Sequence, residues 1–280
     1  MVKIAEVTST RILNPTSIGL GEYVINPYVG CEFGCLYCYV RSNHSAVKRK
    51  DPWGGYVDIR INAPELLEKE LAAKKPSVVL LGSTTECFQP QEEKSAVTGR
   101  LLEILNRSQV QYVILTRSPY IQQYLSLLRG GFCKKVYFTV NSFKPELKAS
   151  LEPKSPDFNA RICAINTLLG EGIPVVPYFS PLLPWISDFK SVFTQCEKAN
   201  HIEFECLNFS LSNCNDIIEK ISSHAPAFAA RYARMQNDQL FYNEVWENIK
   251  KEIMGYASEA KKKVTVYTHD FGDYFKNKYS

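Results

Sequence analysis

Asn26-Pro27-Tyr28-Val29-Gly30-Cys31-Glu32-Phe33-Gly34-Cys35-Leu36-Tyr37-Cys38-Tyr39 sets three cysteines within eight residues, directly after an apolar run that starts at Val24. Spacings of four and three let all three thiolates turn inward if the loop curls, and Gly30 and Gly34 free the backbone to do so. A [4Fe–4S] cluster is commonly held by four cysteines, so three would leave one iron open to a further ligand. Zinc held by these cysteines with His44 is the alternative metal reading. A chance grouping of buried thiols is the plainest one.

The stretches around the loop alternate in type. Near-continuous apolar runs at Val24–Tyr28, Ser77–Leu81, Val110–Leu115, Lys135–Val140, Ile173–Phe179 and Ile202–Phe209 read as parallel strands buried on both faces. Helical segments lie between them. Pro64 opens one at its first turn, and Lys94–Asn106 repeats apolar residues at Val97, Leu101, Leu102 and Leu105. Asp157 or Asn159 caps a third that closes at Gly170 and Gly172, and Asp188 caps a fourth through Ala199. The fold expected is α/β, a partial (β/α)6 barrel over residues 1–210. A mostly helical extension over 211–280, with Leu240, Val245, Ile249 and Ile253 apolar, packs on it.

Bulk composition narrows the classes. The 280 residues are 45% hydrophobic and 22% charged, with a net charge of +4. That balance permits a nucleic-acid partner without requiring one. No run of roughly eighteen apolar residues predicts a membrane span. With no signal-peptide pattern in Met1–Thr10, the nine cysteines are expected in a reducing cytoplasm, where clustered thiols bind metals or act in catalysis.

The Cys-x3-Cys-x2-Cys spacing, with an aromatic before the last cysteine, resembles the motif of the radical S-adenosylmethionine (SAM) superfamily. The longer string from Asn26 to Tyr39 is similar to its spore photoproduct lyase-like branch, the "DNA repair photolyase" proteins. Further elements follow in the same order. Thr84-Thr85-Glu86-Cys87-Phe88-Gln89-Pro90 resembles that branch's Thr-Asp-x-Tyr-Gln-Pro, and Thr116-Arg117-Ser118 its Thr-Lys-Ser. Leu151-Glu152-Pro153 with Arg161 resembles its Glu-Pro…Arg element, and Pro181 through Asp188 its Pro-x-x-Pro-Gly-x-x-Asp. The resemblance spans roughly residues 8 to 210.

That resemblance implies an enzyme, of lyase or transferase type, that cleaves SAM reductively at a [4Fe–4S] cluster held by Cys31, Cys35 and Cys38. The product is a 5′-deoxyadenosyl radical that abstracts hydrogen from a substrate. A reducing partner such as flavodoxin or ferredoxin is implied, and the substrate is a small molecule, a peptide or a nucleic acid. Ligands of parallel α/β folds bind at the C-terminal ends of strands. Thr85 and Glu86 are therefore expected at the methionine ammonium, with Thr116, Ser118, Thr139 and Asn141 at neighbouring strand ends. Arg161 is expected at the methionine carboxylate, and Tyr37 beside the adenine. Each polar residue can equally cap the next helix, and Arg161 can pair with Glu152 or lie on the surface.

The sequence also departs from that branch. Spore photoproduct lyase carries a hydrogen-donating cysteine where Ser83 stands here, and Cys87, four residues on, is the nearest substitute donor. The branch's Thr-Asp is Thr85-Glu86, and its Tyr is Phe88. The remaining cysteines and the four histidines show no ligand spacing. The basic run Lys48-Arg49-Lys50, with Trp53 and Tyr56 nearby, would suit a nucleic acid through charge and stacking.

Overall fold

The structure is a computed structural model that describes residues 2–269. Its chain divides into two compact units. One comprises the stretch up to Gly34 with Arg49–Thr139 and Ser155–Val176; the other comprises Cys35–Lys48, Val140–Lys154 and the chain from Pro177 onward.

Eleven strands are present among the described residues: β1 (Lys3–Val7), β2 (Asn14–Pro15), β3 (Tyr23–Ile25), β4 (Tyr28–Gly30), β5 (Tyr56–Arg60), β6 (Val78–Leu81), β7 (Gln111–Thr116), β8 (Cys133–Thr139), β9 (Val175–Leu182), β10 (His201–Cys206) and β11 (Lys263–Tyr267). In the first unit, β3, β6, β7 and β8 are parallel neighbours in that order, with β2 antiparallel on the outer edge. A small sheet of the same unit pairs β5 with β1 in parallel and with β4 antiparallel. In the second unit, β9, β10 and β11 are parallel neighbours.

All six expected strands form, with shifted ends. Val24–Tyr28 is not one strand: the chain leaves β3 at Asn26 and re-enters a different sheet at Tyr28, because Pro27 has no N–H to continue a ladder. β1, β5 and β11 interleave apolar with polar residues instead of forming continuous apolar runs, so a search for such runs passes over them.

Helices follow their signals more closely. Ala63–Lys74 carries its proline in the first turn. Asp157 accepts the Ala160 N–H at 2.8 Å and caps Phe158–Gly170. Lys94–Asn106 is broken at Ala96, whose φ of +48° ends one short helix and starts Val97–Arg107. The helix after Asp188 spans only Lys190–Gln195. Beyond residue 210 the long helix Gln239–Glu259 buries Val245 and Ile253 but leaves Leu240 81% exposed. Leu240 lies in the first turn, just after the Asp238 cap, and contributes nothing to the core.

Alternation along β10 shows how the second unit is built. Ile202, Phe204 and Cys206 are buried, and Phe204 stacks on Phe179 and Phe193 at 5.8 and 5.7 Å with Phe189 edge-on at 6.1 Å. Such pairs contribute about 0.5–1.5 kcal/mol each beyond area burial. The intervening residues, His201, Glu203 and Glu205, point to the other face.

Candidate functional site

The cysteine loop begins where β4 ends. Gly30 has φ +94°, and a Cβ there would meet the Tyr56 carbonyl oxygen at 2.4 Å, so only glycine fits. Gly34, φ +62°, lies so close to Gly54 that a Cβ on Gly54 would sit 2.7 Å from the Gly34 Cα. Cys31 and Cys35 are buried, Cys38 is partly exposed, and none of the three is in a disulfide. Among the described residues, no three His, Cys, Asp or Glu side chains are arranged to hold a single metal ion; the zinc reading with His44 rests on a side chain outside the described ones. A cubane takes one cysteine per iron and needs no convergence on one centre. Three cysteines outside any disulfide on a glycine-shaped loop fit that donor set.

Within the first unit, the residues after β6 hold the start of this loop. The Thr85 hydroxyl donates to the Gly30 carbonyl at 2.5 Å. The buried Gln89 amide oxygen accepts the Glu32 N–H at 2.8 Å, and the Glu32 carboxylate accepts the Gln91 N–H at 2.9 Å. Glu86, 6% exposed, accepts from the Thr116 hydroxyl at 2.6 Å and from the N–H groups of Arg117 and Phe88 at 2.9 and 3.0 Å. Burial pushes its pKa up against the pull of those bonds. A carboxylate has about four acceptor sites, so three bonds leave room for one more donor. Ser118 is a helix cap: its hydroxyl oxygen accepts the Tyr120 N–H at 3.3 Å.

Within the second unit, the rest of the loop has its own anchors. The Leu36 N–H donates to the Leu151 carbonyl at 2.8 Å, and the Asn213 amide donates to the Leu36 carbonyl. The Tyr37 phenol donates to the Glu152 carboxylate. The Asn141 amide nitrogen lies 3.0 Å from both the Tyr37 hydroxyl and the Glu152 carboxylate. The Asn141 amide oxygen is buried without a partner. Tyr37, Asn141 and Glu152 are thus one buried group, which the scattered sequence positions did not reveal.

The other expected residues are placed as follows. Arg161 is fully buried on the helix Phe158–Gly170, and its Nε donates to the Pro156 carbonyl at 3.0 Å, which excludes the surface reading. Thr139 is the half-buried last residue of β8. Cys87 is fully buried, and burial keeps its thiol protonated far above the usual range. The Ser83 hydroxyl accepts from the Asn26 amide at 3.3 Å. Nothing stacks on Tyr56 from solvent: it is buried, with the Arg49 guanidinium 4.3 Å from its ring centroid and paired to Asp58 at 2.6 and 2.9 Å. Tyr56 is therefore not a stacking surface, whereas Lys48 and Lys50 are exposed and Trp53 is partly exposed.

Two carboxylates escaped sequence reasoning, Glu92 fully buried and Glu205 half-buried. Glu92 accepts from the phenols of Tyr28 and Tyr124 and from the Thr98 and Gly99 N–H groups at 3.0 Å, capping Val97–Arg107. It stands in the charged run Glu92-Glu93-Lys94, which looks exposed in one dimension. Glu205 at the end of β10 accepts from the Ser180 hydroxyl at 2.5 Å and lies 3.4 Å from His269. Burial raises its pKa, but the bonds from His269, Ser180 and Tyr178 outweigh that and bring it down.

The profile of the radical SAM superfamily matches residues 25–189, and the chain belongs to that superfamily. It is 29% identical to an uncharacterized protein of Methanocaldococcus jannaschii over 212 residues, 75% of this chain and 80% of that one. An uncharacterized protein of Mycobacterium tuberculosis is 26% identical over 176 residues, 60% of this chain and 51% of its own. Among solved structures, spore photoproduct lyase superposes with a TM-score of 0.68 at 14% identity, over 95% of this chain and 82% of that one. Streptococcus suis SuiB bound to precursor peptide SuiA gives 0.53 at 11% identity, over 88% and 48%. At these identities the likeness is one of fold, and it bears out the α/β partial-barrel expectation. The chain is a radical SAM enzyme, and its family implies an iron–sulfur cluster and SAM. Among the described residues, no helix is long and apolar enough to cross a membrane.

Proposed function

We propose that Cys31, Cys35 and Cys38 hold a [4Fe–4S] cluster at which this enzyme cleaves SAM to start radical chemistry on a small molecule, peptide or nucleic acid. The observation that carries this reading is the loop itself: three closely spaced cysteines, none in a disulfide, on backbone shaped by glycines, with each half tied to polar residues of its own unit. When bound, the cluster and SAM supply a 5′-deoxyadenosyl radical that abstracts hydrogen.

The chain's own residues bind and orient. Glu86, with an acceptor site left, receives the methionine ammonium by a charge-assisted bond, and Thr85 fixes the loop beside it. Thr116 braces Glu86 from the end of β7, its hydroxyl held in turn by the Ser118 N–H, and Thr139 stands at the equivalent end of β8. The unpartnered Asn141 oxygen is an acceptor for a ligand N–H or O–H, with Tyr37 and Glu152 holding its amide in place. Arg161 matches the methionine carboxylate by charge and shape. Cys87 is the one thiol near the donor position; its S–H is intact, but its burial requires the loop to open before it could reach a substrate radical. A low-potential donor such as flavodoxin or ferredoxin would reduce the enzyme in the cytoplasm.

The test is anaerobic reconstitution, metal and sulfide analysis, and a SAM-cleavage assay with dithionite. Iron and sulfide near four each per chain, with 5′-deoxyadenosine formed by the parent and not by Cys35→Ala, is the expected result. Cleavage that survives Cys35→Ala, or stoichiometric zinc without sulfide, would overturn it.

A further inference from the structure

The second unit holds a cavity of about 690 Å³ between the loop after β9 and the helices Ala229–Met235 and Gln239–Glu259. It shares no residue with the cysteine loop or the groups around it. Its floor is apolar, from Leu182, Leu183 and Val245, and its wall is aromatic and cationic. The Trp185 indole lies nearly parallel to the rings of Phe228 and Phe241, at 17° and 22° with centroids 6.0 and 6.5 Å away. The Arg231 guanidinium stands 5.2 Å from the indole centroid, and that of Arg234 stands 4.1 Å from the Phe241 centroid.

The cations are not equivalent. Lys190 is paired with Glu252 at 3.1 Å and Arg234 with Asp238 at 3.0 Å. Arg231 is exposed and, among the described residues, makes no ion pair, so its charge over the indole is available to a ligand. Trp185 holds φ +61°, a conformation that glycine adopts without strain and a bulky residue seldom does. What the position gains from tryptophan is the ring. Parallel aromatic planes under an unpaired guanidinium suit a planar group that carries a negative charge: the base stacks and the phosphate takes the arginine. Glu244 and Glu252 on the rim limit the charge the mouth accepts, which favours one nucleotide unit over a long polyanionic track.

We propose that this cavity binds a nucleotide, free or within a single strand, with its base on the Trp185–Phe241 wall and its phosphate on Arg231. The binding does not rest on the cluster chemistry, so it can fail or succeed independently of that reading. The test uses the reconstituted full chain, fluorescein-labelled octathymidylate read by anisotropy, and thymidine monophosphate as competitor. Arg231→Ala and Trp185→Gly, the second chosen because glycine keeps the backbone conformation, should each raise the oligonucleotide Kd about tenfold or more while SAM cleavage is retained. Arg231→Ala should also reduce the salt slope by about one. Competition by the monophosphate identifies the free nucleotide as sufficient; binding of the oligomer alone identifies the strand. No binding of either probe, binding that both variants leave unchanged, or an equal loss in Lys50→Ala would overturn the proposal.

Discussion

Glu86 and Glu205 are both enclosed carboxylates, yet their surroundings push them in opposite directions. Desolvation of Glu86 outweighs its hydrogen bonds from Thr116, Arg117 and Phe88 and the charge of Arg117, so it titrates high. Its ionisation therefore opposes folding, a penalty absent below the ordinary glutamate range and complete once pH rises past its folded pKa. In the SAM-free protein, Glu86→Gln should gain stability relative to the parent as pH rises through that window, read as the Tm difference across a pH series. A constant difference would place Glu86 in water. The same substitution should weaken SAM binding by about one to two orders of magnitude, the worth of a charge-assisted bond, measured by calorimetry. Glu205 is depressed by His269, Ser180 and Tyr178. It stabilises the fold above the ordinary glutamate range, and that contribution is lost as pH falls through its folded pKa, so Glu205→Gln should flatten the acid limb of the stability curve. Tyr37→Phe removes the donor to Glu152 and an acceptor for Asn141, at a cost of about 1–3 kcal/mol by urea unfolding.

At the scale of the element, the cysteine loop depends on backbone more than on side chains. Gly30→Ala adds a Cβ where the Tyr56 carbonyl stands 2.4 Å away, in a φ region closed to alanine. Strain of this kind costs about 1–3 kcal/mol before the clash is counted. The expected outcome is a folded protein with a lower Tm that takes up little iron on reconstitution. Normal iron content in Gly30→Ala would show that the loop tolerates another path. Gln89 accepts the Glu32 N–H of the same loop, and the Glu32 carboxylate accepts the Gln91 N–H in return. Their loss should leave the cysteines present and the loop loose, so iron uptake should fall without any ligand being removed.

The whole molecule shares its fold with spore photoproduct lyase, and the sequence resemblance sets Ser83 where that branch is expected to carry a hydrogen-donating cysteine. The Ser83 hydroxyl is bonded to Asn26, and a hydroxyl is a far poorer hydrogen-atom donor than a thiol. Reconstituted protein with SAM and reductant should therefore not restore thymines from dinucleoside spore photoproduct. Chromatography for the thymidine product checks this, and repair that vanishes in Cys87→Ala would show that the buried Cys87 reaches the radical after all. Air should bleach the cluster and abolish SAM cleavage, because an iron open to a ligand is also open to oxidants.

The sequence by itself determined the class of this protein. Metal chemistry demands particular side chains at short spacing, and Cys31, Cys35 and Cys38 state that demand locally. Buried parallel strands need apolar runs, so β3 and β6 to β10 were legible as well, as was the Asp157 cap. Tertiary structure alone decided what depends on residues far apart in the chain. Pairing made strands of β1, β5 and β11, which interleave apolar and polar residues and so form no continuous apolar run. Burial converted Glu92 from an apparent surface charge into the cap of another helix and removed Tyr56 from solvent. Folding brought Tyr37, Asn141 and Glu152 into one hydrogen-bonded group across 115 positions. It also set Trp185 beside two helices that follow it by more than forty residues. Hydrogen bonds and ring contacts act over a few ångströms, and no periodicity in the chain records which distant residues will come within that range.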